Sequence, residues 1–218
     1  IQMPYFEIDN ENVSPIQEFI FKKEKSLNKD IKELIYSSLL TNNMNIDLVI
    51  RVSEKSPIIR FRYVIYSNKS KFLTKKNGHD SIVYCGYESI QNSKKIELRI
   101  SDYDYMYHTH VMTENEAFAN ENQIMGPILV EENDHISSLL AYEHGSQYPN
   151  KFICFEKIDN YISIKSLRGN YVSKQIIDNE HPFETIWLQF GAVKGNIELL
   201  AKQYRRGLIT EDERYSSI

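Results

Sequence analysis

At 218 residues the chain is long enough for one large all-β domain or two small ones. Its 41% hydrophobic, 26% charged and 12% aromatic residues make a globular composition and exclude a disordered chain. A net charge of −4 and a pI near 5.9 leave no surplus of Lys and Arg to attract nucleic acid or an anionic membrane, and no run of about 18 apolar residues is present to span one.

In chain order, the first element is ambiguous in type. Asp30–Leu40 reads as a short amphipathic helix, although from Leu34 onward it also fits a strand. Period-2 alternation then takes over. Ile46, Leu48, Ile50 and Val52 share one strand face. In Ile58–Tyr66, Ile59, Phe61, Tyr63 and Ile65 share one face, and Arg60 and Arg62 sit together on the other. Further strands are expected at Ile82–Tyr87, Lys95–Ser101, Tyr103–Val111, Ile128–Glu131, Ser138–Glu143, Lys151–Lys157, Tyr161–Leu167 and Phe183–Phe190. Asn196 can cap a closing helix whose apolar face is Ile197, Leu200, Ala201 and Tyr204, with Gly207 as its stop. The expected fold is therefore all-β, an antiparallel sandwich with a short C-terminal helix, undivided by any repeat or flexible linker.

Turn chemistry leans on asparagine. The chain has 18 Asn but 8 Gly, the first of them Gly78. Asn tolerates the left-handed conformation, so it can fill turns such as Asn42-Asn43-Met44-Asn45 and Asn77-Gly78. Cys85 and Cys154 show no CxxC pattern and read as two buried thiols, with one disulfide as the alternative. The chain opens on Ile with no charged-then-apolar leader, as in a processed product or an excised fragment, so its compartment stays open.

Several constellations could carry chemistry. His108 and His110 share a strand face, and with Glu114 they match the first half of a cupin metal motif. Asp102 stands where a cupin has glycine, and the second half of the motif is missing, so no metal is expected. Ser146 lacks a nucleophile elbow, which removes a Ser-His-Asp reading. Asp102 and Asp104 share a strand face, but among aromatic neighbours they read as a solvated edge rather than a glycosidase carboxylate pair. Arg60 and Arg62 could grip a carboxylate or phosphate, yet cross-strand pairing with Glu or Asp is the commoner use. Trp187 could stack on a sugar ring. Its strand is apolar on both faces, however, with Ile186, Leu188 and Phe190 on one and Phe183 and Trp187 on the other, so core is expected. Glu143, His144, Ser146 and Gln147 crowd polar groups directly after an apolar strand, where a carbohydrate site could form.

The phrases Met125-Gly-Pro-Ile-Leu-Val130, Leu139–Pro149 (within it Tyr142-Glu-His-Gly-Ser-Gln-Tyr-Pro149), Leu167-Arg-Gly-Asn-Tyr171 and Phe183–Arg206 follow one another in order, with Ser56–Tyr63 upstream. Together they make the span from Ile46 to Arg206 resemble the front domain of glycoside hydrolase family 36, the α-galactosidase-like enzymes. The resemblance implies an N-terminal β-supersandwich over residues 1–208 and a linker over 209–218 toward a catalytic (β/α)8 barrel absent from the chain. In the family that barrel carries an aspartate nucleophile and an aspartate acid/base, so no catalytic residue is expected here, and no cofactor. The implied partners are the barrel of the same polypeptide and a galactoside or related oligosaccharide. A homo-oligomer is also among them, because some members use this domain to build one. By the same analogy Glu143, His144, Ser146 and Gln147 are candidates for the sugar-pocket rim. The alternatives are a free-standing carbohydrate-binding sandwich and, behind it, a cupin-like metalloprotein.

Overall fold

Turns built on Asn and Asp set out the first strands of the computed structural model, which describes residues 3–74, 82–90, 92–100, 109–113, 123–124, 128–142, 153–166 and 176–208. Strands β1 (Phe6–Ile8) and β2 (Glu11–Val13) form a hairpin closed by Asp9 and Asn10 at φ 53° and 64°. Two left-handed residues give the turn whose twist matches paired strands, so the hairpin needs no glycine. Next comes a meander of β3 (Ile20–Ser26), β4 (Ile31–Leu39), β5 (Asn45–Ser53) and β6 (Ser56–Tyr66). The Asn28 side chain accepts the amides of Asp30 and Ile31 at 2.8 and 2.9 Å, turning β3 into β4. Asn43, at φ 62°, turns β4 into β5.

The helix expected over Asp30–Leu40 is therefore a strand. β4 is hydrogen-bonded on both sides, to β3 and β5, and the Asn28 turn starts a hairpin rather than a helical cap. Its apolar residues serve both faces of a sheet, a pattern that helix periodicity imitates over so short a run.

The remaining strands are β7 (Lys71–Phe72), β8 (Ile82–Glu88), β9 (Lys94–Ile100), β10 (Thr109–Thr113), β11 (Gln123–Ile124), β12 (Ile128–Glu132), β13 (Ile136–Tyr142), β14 (Ile153–Ile158), β15 (Tyr161–Ser166), β16 (Ile176–Ile177), β17 (Phe183–Glu184) and β18 (Leu188–Lys194). Helix α1 (Ile197–Leu208) follows and runs one residue past Gly207. A ten-stranded sheet has the order β10-β9-β12-β13-β18-β6-β5-β4-β3, with β17 also on β6. A four-stranded sheet has the order β11-β14-β15-β8. Every strand pairing among the described residues is antiparallel.

The two sheets face each other across one core. Ile46, Tyr63, Ile65, Leu129, Leu140 and Leu188 of the large sheet meet Ile82, Tyr84, Phe155, Ile162 and Ile164 of the small one, and Phe6, Ile8 and Val13 of the first hairpin join them. Each fully buried Ile, Leu or Phe contributes roughly 1.5–3 kcal/mol, so this interlayer core is the main source of stability. The Tyr63 hydroxyl crosses the layers to donate to the Tyr84 carbonyl at 2.8 Å. A smaller cluster on the outer face of the large sheet, Ile58, Val130, Leu139 and Ala141, receives Leu200 of α1 with Ile197 and Tyr204 beside it.

Cys85 carries a free thiol. Strand β15 lies between β8, which holds Cys85, and β14, which holds Cys154. Two strand spacings set their backbones roughly 9–10 Å apart, beyond the about 7 Å that a disulfide spans.

Candidate functional site

The site begins where the sheet pleat fails. Phe183 pairs with Ile65 and Leu188 with Phe61, so β17 and β18 hold one residue more than β6 opposite them. That extra residue re-phases the alternation. Phe183 and Leu188, five apart, both enter the interlayer core at 0% exposure, and Thr185 hydrogen-bonds with the Tyr63 backbone in both directions. Trp187 is released to the outer face. The sequence expectation of Trp187 as a core residue sharing a face with Phe183 is thus corrected: a bulge, invisible to period-2 counting, separates them.

On the outer face Trp187 lies half-buried against two guanidinium groups, Arg51 at 4.2 Å and Arg62 at 4.6 Å from the ring centroid. Both are themselves ion-paired. Arg51 donates to Glu33 at 2.7 Å, and Arg62 donates to Glu184 at 2.5 Å. Register explains the gathering: Glu33, Arg51, Arg60 and Gln189 stand side by side across β4, β5, β6 and β18. Two arginines directly opposite each other repel, and the flanking carboxylates and the electron-rich indole offset that cost. The expectation that the Arg60/Arg62 face finds acidic partners across strands holds for Arg62. The roles of Arg51, Glu33 and Glu184 had no sequence signal beyond being polar positions on alternating strands.

This cluster presents a planar, aromatic and basic surface. The Glu33 and Glu184 carboxylates are already bound by guanidinium N–H groups.

The expected pocket rim, Glu143, His144, Ser146 and Gln147, lies outside the described residues, as do His108, Glu114, Asp102 and Asp104. The strand that precedes these residues is described. β13 ends at Tyr142, buried and paired with Leu188, the neighbour of Trp187. The last described residue of β13 therefore lies beside the bulge that presents Trp187. His110 stands on β10 opposite Arg99. Among the described residues no three His, Cys, Asp or Glu side chains are grouped to hold a metal ion, and no helix is long and apolar enough to cross a membrane.

Two acidic residues that sequence reasoning passed over occupy the end of β12. Glu131 is 1% exposed inside the sandwich, where the hydroxyls of Ser89 and Tyr87 donate to it, the latter at 3.1 Å. Burial and then the nearby Glu131 carboxylate push the Tyr87 hydroxyl far up, so it remains a donor. Glu132 faces outward and accepts the first amide of α1, Ile197 N–H, at 2.8 Å. A run of Ile-Leu-Val broken by two acids was the available signal.

No protein-family model matches the sequence, and no curated protein matches it. Solved structures do match in fold. The galactosidase domain of the α-galactosidase-sucrose kinase AgaSK is 13% identical at a TM-score of 0.61, over 94% of this chain and 31% of that one. The family 36 α-galactosidase AgaA from Geobacillus stearothermophilus is 9% identical at 0.60, over 93% and 31%. The α-galactosidase from Lactobacillus brevis is 10% identical at 0.58, over 92% and 30%. The chain thus spans about three-tenths of the length of these enzymes, and it resembles, as the fold it shares with them, the N-terminal domain of glycoside hydrolase family 36.

Proposed function

We propose that this chain is the non-catalytic N-terminal domain of an α-galactosidase-like glycoside hydrolase, residues 1–208, with 209–218 leading into a (β/α)8 catalytic barrel. The observation that carries the reading is the fold match over more than nine-tenths of this chain to three-tenths of family 36 α-galactosidases. In this role the sandwich packs on the barrel and shapes its sugar pocket. Glu143, His144, Ser146 and Gln147, the residues after β13, supply polar groups to the pocket rim, because carboxylate, imidazole, hydroxyl and amide side chains can pair with sugar hydroxyls that both donate and accept. The bond-breaking carboxylates belong to the barrel. The ligand is a galactoside or related oligosaccharide.

The test is an assay of the purified 218-residue chain on an aryl α-galactoside. The expected result is no turnover above the uncatalysed rate. Turnover at enzyme-like rates, abolished by a single substitution in this chain, would overturn the reading. Millimolar or tighter galactoside binding by the isolated chain, lost in His144→Ala, would instead favour a self-sufficient carbohydrate-binding sandwich.

A further inference from the structure

Glu131 and Glu132 are consecutive on β12, so the pleat sends their side chains to opposite faces of the large sheet. Glu131 enters the interlayer space with Leu129 and is held by Tyr87 and Ser89, at the end of β8 in the small sheet. Glu132 shares the outer face with Val130 and holds the start of α1. We propose that the Glu131–Glu132 pair is a two-way clamp, through which the seating of the small sheet on the large one governs how firmly α1 is docked.

The helix end needs such a clamp. The first amides of a helix have no partner within it, and a 12-residue helix is marginal without outside support. Glu132 takes the Ile197 amide, and Asn196 Oδ1 takes the Leu199 amide at 3.1 Å. A carboxylate at this end also meets the positive end of the helix dipole. The approach to the helix is fixed from the same hairpin. The fully buried Ser137 donates to the Gly195 carbonyl at 2.8 Å, and Gly195 N–H donates to His135 O at 3.1 Å. Gly195 sits at φ 125°, a conformation that side chains rarely adopt. Beyond these bonds α1 rests on the small outer cluster around Leu200.

The sheet end is equally constrained. Glu131 is buried, and a buried carboxylate is tolerated only while its hydrogen bonds are made. A tilt or shift of β12 that loosened the Tyr87 and Ser89 bonds would move the Glu132 carboxylate with it, because the two share one stretch of backbone. The reverse holds for a displacement of the helix. No atom of Tyr87 or Ser89 needs to touch α1 for this coupling to act.

Hydrogen exchange followed by mass spectrometry tests the clamp on the intact chain. Tyr87→Phe and Ser89→Ala each remove one donor to Glu131 and leave the fold's shape in place, so they serve where Glu131 variants fail to fold. Glu132→Ala is the direct control and is expected to speed exchange of the first-turn amides of α1 about 3–10-fold, the range for losing one hydrogen bond. Asp9→Asn, which weakens the distant Asp9–Lys71 contact, corrects for general loss of stability. Coupling predicts that Tyr87→Phe and Ser89→Ala speed exchange in α1 by at least about 3-fold more than Asp9→Asn does at equal global stability. If these variants loosen β8 and β12 but leave α1 no faster than Asp9→Asn, the clamp is overturned and the two carboxylates act independently.

Discussion

At single positions this chain replaces glycine with Asn and Asp and keeps its reactive groups protected. Asp9, Asn10, Asn43, Asn92 and Asp159 all adopt positive φ, so the abundance of Asn already marked where the chain turns back on itself. Asp9 adds a second function. Burial alone would raise its carboxyl, but hydrogen bonds from Lys71 and from the Phe72 amide outweigh it and hold the group below its ordinary value. Cys85 is the opposite case, since burial against the core pushes its thiol up to about 12 from an ordinary 9.0. Because the folded value is raised, the unfolded chain ionises first, and this contribution to stability is complete below about pH 9 and declines from there to about pH 12. Between pH 8 and 10.5 the wild type should lose about 1 kcal/mol more than Cys85→Ala, since part of the residue remains accessible. Urea unfolding at the two pH values measures this, and equal losses in the two proteins would contradict the assignment. What the residue pattern could not reveal was burial of charge. Nothing in the letters Glu131 and Glu132 says that one faces the core and the other a helix, because that depends on which strand of another sheet lies opposite.

Among elements, β5 and β6 of the large sheet were legible because their inward rows pack on the interlayer core. Ile46, Leu48, Phe61, Tyr63 and Ile65 lie in or against the interlayer core as alternation predicts, with Arg60 and Arg62 on the alternate positions. β3, before Ile46, was not legible, because it is exposed along its whole length and has no inward row to read. β4 was misread for a related reason: its apolar residues are shared between two faces. The candidate site shows the same limit. Trp187 and its strand were identified, but a one-residue bulge decides which way the indole faces, and bulges arise from the pairing of distant segments. In the resulting cluster, packing should outweigh charge. Removing the half-buried Trp187 takes away the cover over two arginines, whereas the Arg62–Glu184 pair is partly exposed and screened. Trp187→Ala should cost about 2 kcal/mol, and Glu184→Ala less than about 1 kcal/mol. Chemical denaturation followed by circular dichroism measures both, and a Glu184→Ala cost equal to that of Trp187→Ala would show that the ion pair, not the indole, holds the cluster.

For the whole molecule, the two layers and closing helix expected from alternation, closely spaced turns and a capped amphipathic segment are those of the structure. The ordered phrases from Met125 to Arg206 led to the same enzymes as the fold comparison, although overall identity is only 8–13%. The core explains how chains so different in sequence take one fold. Inward positions need only apolar side chains of suitable volume, while turns and outer faces are free to change. The proposed rim of Glu143, His144, Ser146 and Gln147 follows directly after β13, a strand buried in the middle of the large sheet. A rigid strand that ends in polar residues suits a domain that lends part of a pocket to a neighbour. The clearest test is the intact mass of the native product in source cells, detected with an antibody raised against this chain. We predict a product far heavier than the 25.7 kDa of the 218 residues, large enough to include a catalytic barrel. A native product of 25.7 kDa would contradict the account and leave the sandwich acting alone.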